Sequence, residues 1–305
     1  MLSVCISLDS PVFFSTLGSL FMPVDQERSR LAFQRLNRQL TKLARKPAPE
    51  SVHKFRTYGR RVEALLDQLV PKPNRNDRKL LKLLSRLRKK AGRVRDLDVQ
   101  IVSLRNLKIP SESDRKVQLL RTLAEERNRL EKKLAKTFDP ETIGELRKRL
   151  KRAANNAEIP KNTDPLGVAM RQFAQLGRDH APLTEKTLHQ YRIVGKRARY
   201  LAELAGKIPE AERFVDQLKR MQDVLGDWHD WLKLTQRAEE LFGGVQDSAL
   251  VAALRNVTGA KFRQGVDVLR ETRAVLAVKK PVVTEAAASS RKPPAPPRTQ
   301  SEAAA

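Results

Sequence analysis

The chain has 305 residues, of which 61 are Lys or Arg and 35 are Asp or Glu, so its net charge at pH 7 is +26. Self-repulsion at this charge destabilises a compact state, and we expect an anionic partner: nucleic acid, an anionic membrane surface or another polyanion. The single cysteine, Cys5, excludes an internal disulfide framework and is typical of a cytoplasmic protein. Aromatic residues make up only 5% of the chain, while Leu, Ala and Arg dominate, which favours helices over sheets.

The segment from Met1 to Val24 is apolar and contains no Lys or Arg. A secretory signal needs a cationic start, which this segment lacks. Pro11, Gly18 and Pro23 interrupt it well before a membrane span would be complete. We therefore expect residues 1–24 to be a disordered extension and not a membrane anchor, with Met22 as an alternative start of the chain.

Prolines and apolar periodicity divide the first half, residues 25–160, into helices. The predicted helices are 25–46, 51–69, 76–90, 92 to Pro110, 114–138 and 139–155. Ser51 is the predicted N-cap of the second helix, and Gly92 is predicted to begin the fourth. Asp139 is followed by Pro140, which is a typical helix start because the carboxylate caps the helix and the proline suits its first turn.

The second half, residues 161–278, repeats this plan after a boundary predicted at residues 161–165. Its predicted helices run from Asp164 to about His180, Thr184 to Lys207, Pro209 through Leu225, Gly226 to Phe242, and about Asp247 to Val278. His180 is expected to be a structural hydrogen-bonding residue. From Lys279 onward Pro, Ala, Ser and Thr dominate without periodicity, which predicts a disordered tail over residues 279–305.

A motif of the form H-x-[FY]-R-x-x-G-[RK]-R occurs once in each half, at residues 52–61 and 188–197, so that position 53 matches 189 and position 61 matches 197. We call it the histidine motif. At about 100° per residue of helix, His53, Arg56 and Arg60 lie within roughly 60° of one another. The second copy places four residues within roughly 80°: His189, Arg192, Lys196 and Arg199. The opposite faces are apolar, so each copy is predicted to be an amphipathic helix; they carry Phe55, Val62, Leu65, Leu66 and Leu69, and Tyr191, Val194, Ala198, Leu201 and Ala202.

A second motif, which we call the glycine motif, also occurs twice, at residues 92–96 (Gly-Arg-Val-Arg-Asp) and 226–230 (Gly-Asp-Trp-His-Asp). Position 92 matches 226, and position 96 matches 230. Two motifs that recur in the same order indicate an internal duplication. We therefore predict an all-α fold, an internally duplicated pair of antiparallel bundles with about four helices in each half. Asp96 and Asp230 are expected to start helices or to anchor neighbouring arginines.

The repeated cationic faces suit a linear polyanion. An arginine fork binds a tetrahedral oxyanion by two hydrogen bonds, and a lysine adds a flexible point charge. Cations spaced three, four and seven residues apart place several donors along one groove, which a linear polyanion requires and a small ligand does not. His53 and His189 donate a hydrogen bond when neutral and gain charge below about pH 6.5, so tighter binding is expected there.

Two alternatives remain open at this point. The first is a metal-dependent phosphohydrolase, because His229 and Asp230 form a His-Asp pair of the kind found in one such superfamily. The matched first-half pair is Arg95 and Asp96, and an arginine cannot ligate a metal. No phosphate-binding glycine loop, nucleophile elbow or suitably placed cysteine occurs, so we expect no catalytic activity, cofactor or metal site.

The second alternative is a general nucleic-acid-binding protein, because a basic helical surface binds any phosphate backbone non-specifically. Recognition of single strands uses exposed aromatic side chains that stack on bases. The few aromatic residues of this chain fall mostly at predicted core positions, and no helix-turn-helix or basic-zipper pattern occurs. We therefore expect at most weak, non-specific binding of nucleic acid.

The two pairs of motifs together resemble those of the CHAD domain, the conserved histidine α-helical domain, over residues 25–278. The resemblance implies a pseudo-twofold pair of four-helix bundles that line a basic groove or pore. It further implies binding of inorganic polyphosphate and association with cytoplasmic polyphosphate granules. The E-x-E-x-K motif of the triphosphate-tunnel domain that is fused to some family members does not occur here.

The resemblance also assigns polyphosphate contacts, position by position. From the two motifs these are His53, Arg56, Arg60, Arg61, Arg93, Arg95, His189, Arg192, Lys196, Arg197, Arg199 and His229. The helices that precede the glycine motif add Lys82, Arg86, Lys89, Lys90, Lys219 and Arg220. Asp223 and Asp227 stand at the positions that match Lys89 and Arg93, so the second half is expected to bind the anion less strongly.

Overall fold

A computed structural model describes residues 23–45, 48–109, 113–177 and 182–277, and within these ranges the chain is all-α, without a strand. The helices are α1 (Gln26–Arg45), α2 (Pro49–Gln68), α3 (Arg75–Asn106), α4 (Ser113–Thr137), α5 (Pro140–Asn156), α6 (Pro165–Gln175), α7 (Glu185–Ala202), α8 (Pro209–Phe242) and α9 (Ala249–Ala277), with a 3-10 turn at Glu203–Ala205. The predictions for residues 1–22, for His180 and for the tail at residues 279–305 lie outside the described residues.

Local sequence signals account for most helix starts. Asp139 caps α5, where its Oδ1 accepts a hydrogen bond from Thr142 N at 2.7 Å, and Asp164 caps α6 in the same way, so both predictions are confirmed. The predicted Ser51 cap is wrong, since α2 begins at Pro49. Proline at the first helical position already has the backbone angle that a helix needs and has no N–H to satisfy.

The glycine motif does not begin helices, which contradicts the prediction for both Gly92 and Gly226. α3 is 32 residues long and runs through Gly92 without a break, and α8 is 34 residues long and runs through Gly226 in the same way. A glycine inside a helix costs only about 1 kcal/mol relative to alanine, which the buried apolar residues on both sides of it outweigh. The described part of the first half consequently contains five helices, α1 to α5, where six separate helical segments were predicted.

In the first half α1 to α4 pack in chain order and α5 packs back on α3 and α1, and matched helices meet across the halves. α1, α2, α3 and α5 pack together with α4 against α3, while α6 to α9 pack in sequence. α2 contacts α7, and α3 contacts α8. The predicted apolar faces of α2 and α7 are confirmed, because every member is buried except Val194, which is half-buried. The pseudo-twofold relation between the halves stays a prediction.

Two hydrophobic clusters lie along α3 and α8. The larger one contains residues of both halves and includes α3 up to Val94 and α8 up to Trp228. The smaller one begins at Leu97 and Leu234 and joins these helices to α4 and α9. The last polar residues of each glycine motif therefore fall between two apolar clusters. None of the described helices has the length and apolarity needed to cross a membrane.

Candidate functional site

The contact between α2 and α7 brings the two histidine motifs together. Charges on Arg192, Arg60 and Arg56 all disfavour the charged form of Lys196, which places cations of both motifs in one group. The glycine motifs on α3 and α8 border the same group, since Arg95 acts on Arg56 and Asp230 acts on Arg192. We call this group the central cluster; it comprises His53, Arg56, Arg60, Arg95 and Asp96 of the first half and His189, Arg192, Lys196, His229 and Asp230 of the second.

Counter-charge in the central cluster is incomplete. It holds five Arg and Lys residues but only two carboxylates, Asp96 and Asp230. Arg60 also acts on Glu63, but that carboxylate is already paired with Arg88 at 2.7 Å. Asp96 Oδ1 lies 3.3 Å from Arg56 Nη2, so the expected anchoring of an arginine is confirmed, although neither aspartate starts a helix. Burial lowers the pKa of both Arg56 and Arg192. Buried charge without full neutralisation is unfavourable in the free protein, and an anion would relieve it.

This arrangement strongly changes the protonation of Lys196. Burial, followed by the charges on Arg192 and Arg60, lowers the pKa of its amine to about 7, while Asp230 acts in the opposite direction. The amine therefore changes its charge near neutral pH instead of remaining fully protonated. An anion that binds beside it would favour the protonated form.

The pKa values of His53, His189 and His229 lie below the value of a free histidine. Partial burial and neighbouring cations lower the pKa of His53 and of His189, and burial and Arg192 lower the pKa of His229 to about 3. The rings of His189 and His229 lie 5.0 Å apart, and His229 Nδ1 is buried without a hydrogen-bond partner. In the free protein these rings are neutral donors, so the charge expected below about pH 6.5 appears only at lower pH.

A side cavity adjoins the central cluster between α3, α4 and α8. It is lined by Arg93, Asp96, Gln100, Glu126, Arg129, Leu130, Lys133, His229, Asp230, Lys233 and Arg237. The basic residues Arg129, Lys133, Lys233 and Arg237 were missed from the sequence. Lys233 lies one turn after His229, a spacing that could have indicated it. The α4 residues reach the cavity only through tertiary packing, which has no local signal.

The predicted contacts Arg61 and Arg199 lie in a different environment. Arg61 Nε donates to Glu203 Oε2 at 2.6 Å, and its guanidinium lies 5.3 Å from the Tyr58 ring centroid and 5.5 Å from that of Tyr200. Arg199 lies 3.7 Å from Glu203 and 4.9 Å from the Tyr200 ring. These contacts join α2 to the end of α7. Arg197, which matches Arg61, is exposed.

The remaining predicted contacts are spread over α3 and α8. Lys82, Arg86, Lys89 and Arg93 are exposed on α3, and Lys90 Nζ donates to Thr137 Oγ1 at 3.0 Å. On α8, Lys219 is exposed and Arg220 pairs with Glu271 of α9 at 2.7 Å. Of the eighteen predicted contacts, the structure brings eight into the central cluster. The binding role of each stays a prediction.

The metal-dependent phosphohydrolase alternative finds no support in the described part of the chain. No group of three or more His, Cys, Asp or Glu side chains there is placed to hold a metal ion. His229 and Asp230 instead face cations, which repel a metal ion as they would attract an anion. Arg95 occupies the matched position in the first half.

The fold and the site define an all-helical protein whose two halves meet at a cationic centre. The chain belongs to the CHAD domain family, because residues 28–239 match the family model of the CHAD domain. The structure is similar to the crystal structure of the CHAD domain from the plant Ricinus communis, with a TM-score of 0.63 and 18% identity over 89% of this chain and 98% of that chain. The comparison with curated proteins finds no match. The resemblance stated from the motifs is thus confirmed, and the family match indicates no catalytic family.

Proposed function

We propose that this protein binds inorganic polyphosphate at the central cluster and does not transform it. One observation carries the proposal: the matched positions of both halves bring together five Arg and Lys residues but only two carboxylates. This arrangement is unfavourable without a ligand and becomes favourable when an anion fills it. The family match indicates no catalytic family, which fits a binding role.

The chemistry of the donors favours a chain of phosphates over a single one. Arg56, Arg60 and Arg192 each offer a planar fork that suits a phosphoryl group, and the neutral His189 and His229 add hydrogen-bond donors. The donors come from four helices and continue into the side cavity. A single phosphate ion can contact only a few of them, whereas a linear polyanion can contact donors of both the central cluster and the side cavity.

The aromatic side chains argue against recognition of bases. Among the described residues no Phe, Tyr or Trp is exposed: each is buried or half-buried, with Trp228, Phe55 and Tyr191 in the core. Single-strand readers use exposed rings as stacking platforms. Contact with the phosphate backbone alone remains the basis of the nucleic-acid alternative.

A competition titration tests the proposal. Labelled long-chain polyphosphate is displaced by duplex DNA, by RNA and by unlabelled polyphosphate, at near-physiological salt. The variant Arg56→Gln/Arg192→Gln is compared with Arg35→Gln/Arg38→Gln, which removes two exposed charges from α1. We expect about a hundredfold or greater loss for the first variant, since two charge-assisted contacts are lost, and little loss for the second.

Polyphosphate should also displace the label at a far lower phosphate concentration than DNA or RNA does. Equal competition by nucleic acid, or equal losses in the two variants, would show that the charge acts generically and would overturn the proposal. Release of orthophosphate on adding a divalent ion, abolished by His229→Ala, would support the phosphohydrolase instead. In cells, we propose that the protein follows polyphosphate granules in the cytoplasm, and the central variant should lose that association.

A further inference from the structure

Four basic side chains form a row on the first part of α3. Lys82, Arg86, Lys89 and Arg93 lie within about 60° of arc at 100° per residue, and the row is about 16 Å long at 1.5 Å per residue. All four are exposed, and within the described ranges no ion pair joins any of them to a carboxylate. We call these four residues the α3 row. Its charge is available to an external anion.

The α3 row ends at the central cluster. Arg93, its last member, lines the side cavity together with Asp96 and Gln100, which continue the same face of the helix. The preceding residue, Gly92, lies directly against the guanidinium of Arg56. Because α3 is uninterrupted, the row and the cluster are fixed relative to each other by one rigid helix.

The matched surface of α8 has the opposite character. In the register that matches Gly92 with Gly226, the α3 row corresponds to Asp216, Arg220, Asp223 and Asp227. The one basic residue, Arg220, pairs with Glu271 at 2.7 Å, and Asp227 pairs with Lys261 at 2.8 Å. Between residues 75 and 93 there are nine basic residues and one acidic residue, whereas residues 209–227 contain three basic and five acidic residues.

We propose that a polyphosphate chain held at the central cluster leaves it along the α3 row and not along α8, so that the row makes the site selective for long chains. This inference rests on the proposed function. A chain of a few phosphates fills the cluster alone. A longer chain adds contacts with Lys89, Arg86 and Lys82 in turn, while repulsion by Asp223 and Asp216 closes the opposite direction.

Phosphate contacts of this kind add to affinity and strengthen its dependence on salt, because each neutralised phosphate releases a counterion. Affinity should therefore rise with chain length until the row is covered and then level off. The salt dependence should steepen over the same range of lengths. A symmetric site would instead extend in both directions and would show no preference for one helix.

The test compares tripolyphosphate with long-chain polyphosphate on matched variants. Lys82→Gln/Arg86→Gln/Lys89→Gln removes three charges from the row and leaves Arg93 in the cavity. The control removes two lysines and one arginine that are exposed on α5: Lys148→Gln/Lys151→Gln/Arg152→Gln. We expect the row variant to lose about tenfold or more affinity for the long chain. Its affinity for tripolyphosphate should stay within about twofold of the wild type, and the control should lose little for either ligand.

A gain of function tests the other direction. Asp216→Lys/Asp223→Lys places a positive charge at two of the α8 positions that match the α3 row. It should raise affinity for the long chain severalfold, and more than Asp216→Asn/Asp223→Asn does. The proposed role of the α3 row would be contradicted if the row and α5 variants lost equal affinity for the long chain. An unchanged affinity in the lysine variant would contradict it too. If wild type binds neither ligand, or Arg56→Gln/Arg192→Gln binds both normally, the proposed function itself fails.

Discussion

α3 and α8 occupy matched places in the two halves, yet their surfaces differ in charge. Both are continuous through a glycine motif, both contact each other, and both bring an aspartate to the central cluster. Away from that centre α3 is strongly basic, while α8 carries more acidic than basic residues. The matched positions at the central cluster keep an arginine or lysine at 56/192 and 60/196 and an aspartate at 96/230, whereas the matched positions of the flanks do not keep their charge. The two halves are thus alike at the central cluster and different in charge on either side of it.

A smaller difference lies inside the cluster itself. Arg60 of α2 and Lys196 of α7 are matched positions of the histidine motif. An arginine keeps its charge throughout the physiological range, whereas an amine can lose its proton when it is buried. Burial and nearby cations lower the pKa of Lys196 to about 7. The first half thus provides a permanent charge where the second half provides a charge that depends on pH.

Replacing Lys196 is expected to give the largest effect. Anion binding favours the protonated amine, so wild-type affinity for polyphosphate should fall as pH rises above about 7, by at most about tenfold per pH unit for one proton. Lys196→Arg should remove this dependence, and Lys196→Met should bind weakly at every pH. Titrations between pH 6 and 9 measure the effect.

The same group affects stability without ligand. The folded state lowers the pKa of Lys196, so burying the charged amine costs stability. The free energy of unfolding is highest above the pKa that this lysine has in the unfolded chain, and it falls as pH drops from there to about 7. Lys196→Met should accordingly raise the melting temperature of the free protein near neutral pH. An unchanged pH profile in Lys196→Arg, or a lower melting temperature in Lys196→Met, would contradict the burial of this amine among cations.

The next effect separates Arg61 from its match, Arg197. Arg61 pairs with Glu203 and packs against Tyr58 and Tyr200, whereas Arg197 is exposed. Arg61→Ala should lower the free energy of unfolding by about 1–2 kcal/mol, because a half-buried ion pair and two aromatic contacts are lost. Arg197→Ala should change it by less than about 0.5 kcal/mol. Urea denaturation of both variants compares the two halves directly.

Polyphosphate affinity gives the control for this pair. Arg61 pairs with Glu203 and is not among the residues that line the side cavity, so Arg61→Ala should change affinity by only about threefold or less, as one outlying charge would. A loss comparable to that of Arg56→Gln/Arg192→Gln would place Arg61 in the binding surface, as the family resemblance first suggested. It would then extend the site beyond the crossing of α2 and α7.

The smallest expected effect concerns the two glycines of the glycine motif. A Cβ at Gly226 would meet no atom within 4 Å, whereas a Cβ at Gly92 would lie 3.6 Å from the Arg56 guanidinium. Gly226→Ala should raise the free energy of unfolding by about 0.5–1 kcal/mol, because alanine favours the helix. Gly92→Ala should gain less, since its methyl group removes water from a buried charge. A loss of stability in Gly226→Ala would contradict the continuous α8.

Local signals predicted the helices well and their continuity poorly. Periodicity located both amphipathic motif helices, and Asp139 and Asp164 marked true helix starts. Gly92 and Gly226 were misinterpreted because a glycine beside charged residues is typical of a helix end. Whether a helix continues through a glycine depends on the packing of neighbouring turns, which is a tertiary property. The predicted N-cap at Ser51 is wrong because α2 begins two residues earlier, at Pro49.

The site was predictable to the extent that it repeats. Histidine and arginine at one helical spacing in two copies indicated the cationic faces that meet between α2 and α7. Arg129 and Lys133 of α4 could not be predicted, because only the packing of α4 on α3 brings them to the side cavity. The pKa of Lys196 and the partners of Arg61 likewise depend on burial and on residues far away in sequence.

The position of the two tryptophans has a practical consequence. Trp228 and Trp231 flank His229 and Asp230 on α8, and the sequence contains no other tryptophan. Trp228 is fully buried, with its ring 6.1 Å from that of His229 and 6.0 Å from that of Phe262. Indole emission responds to nearby charge and to the protonation of a neighbouring imidazole. The protein therefore carries its own fluorescent reporter beside the central cluster, with which the proposed binding of an anion there can be tested in the unlabelled chain.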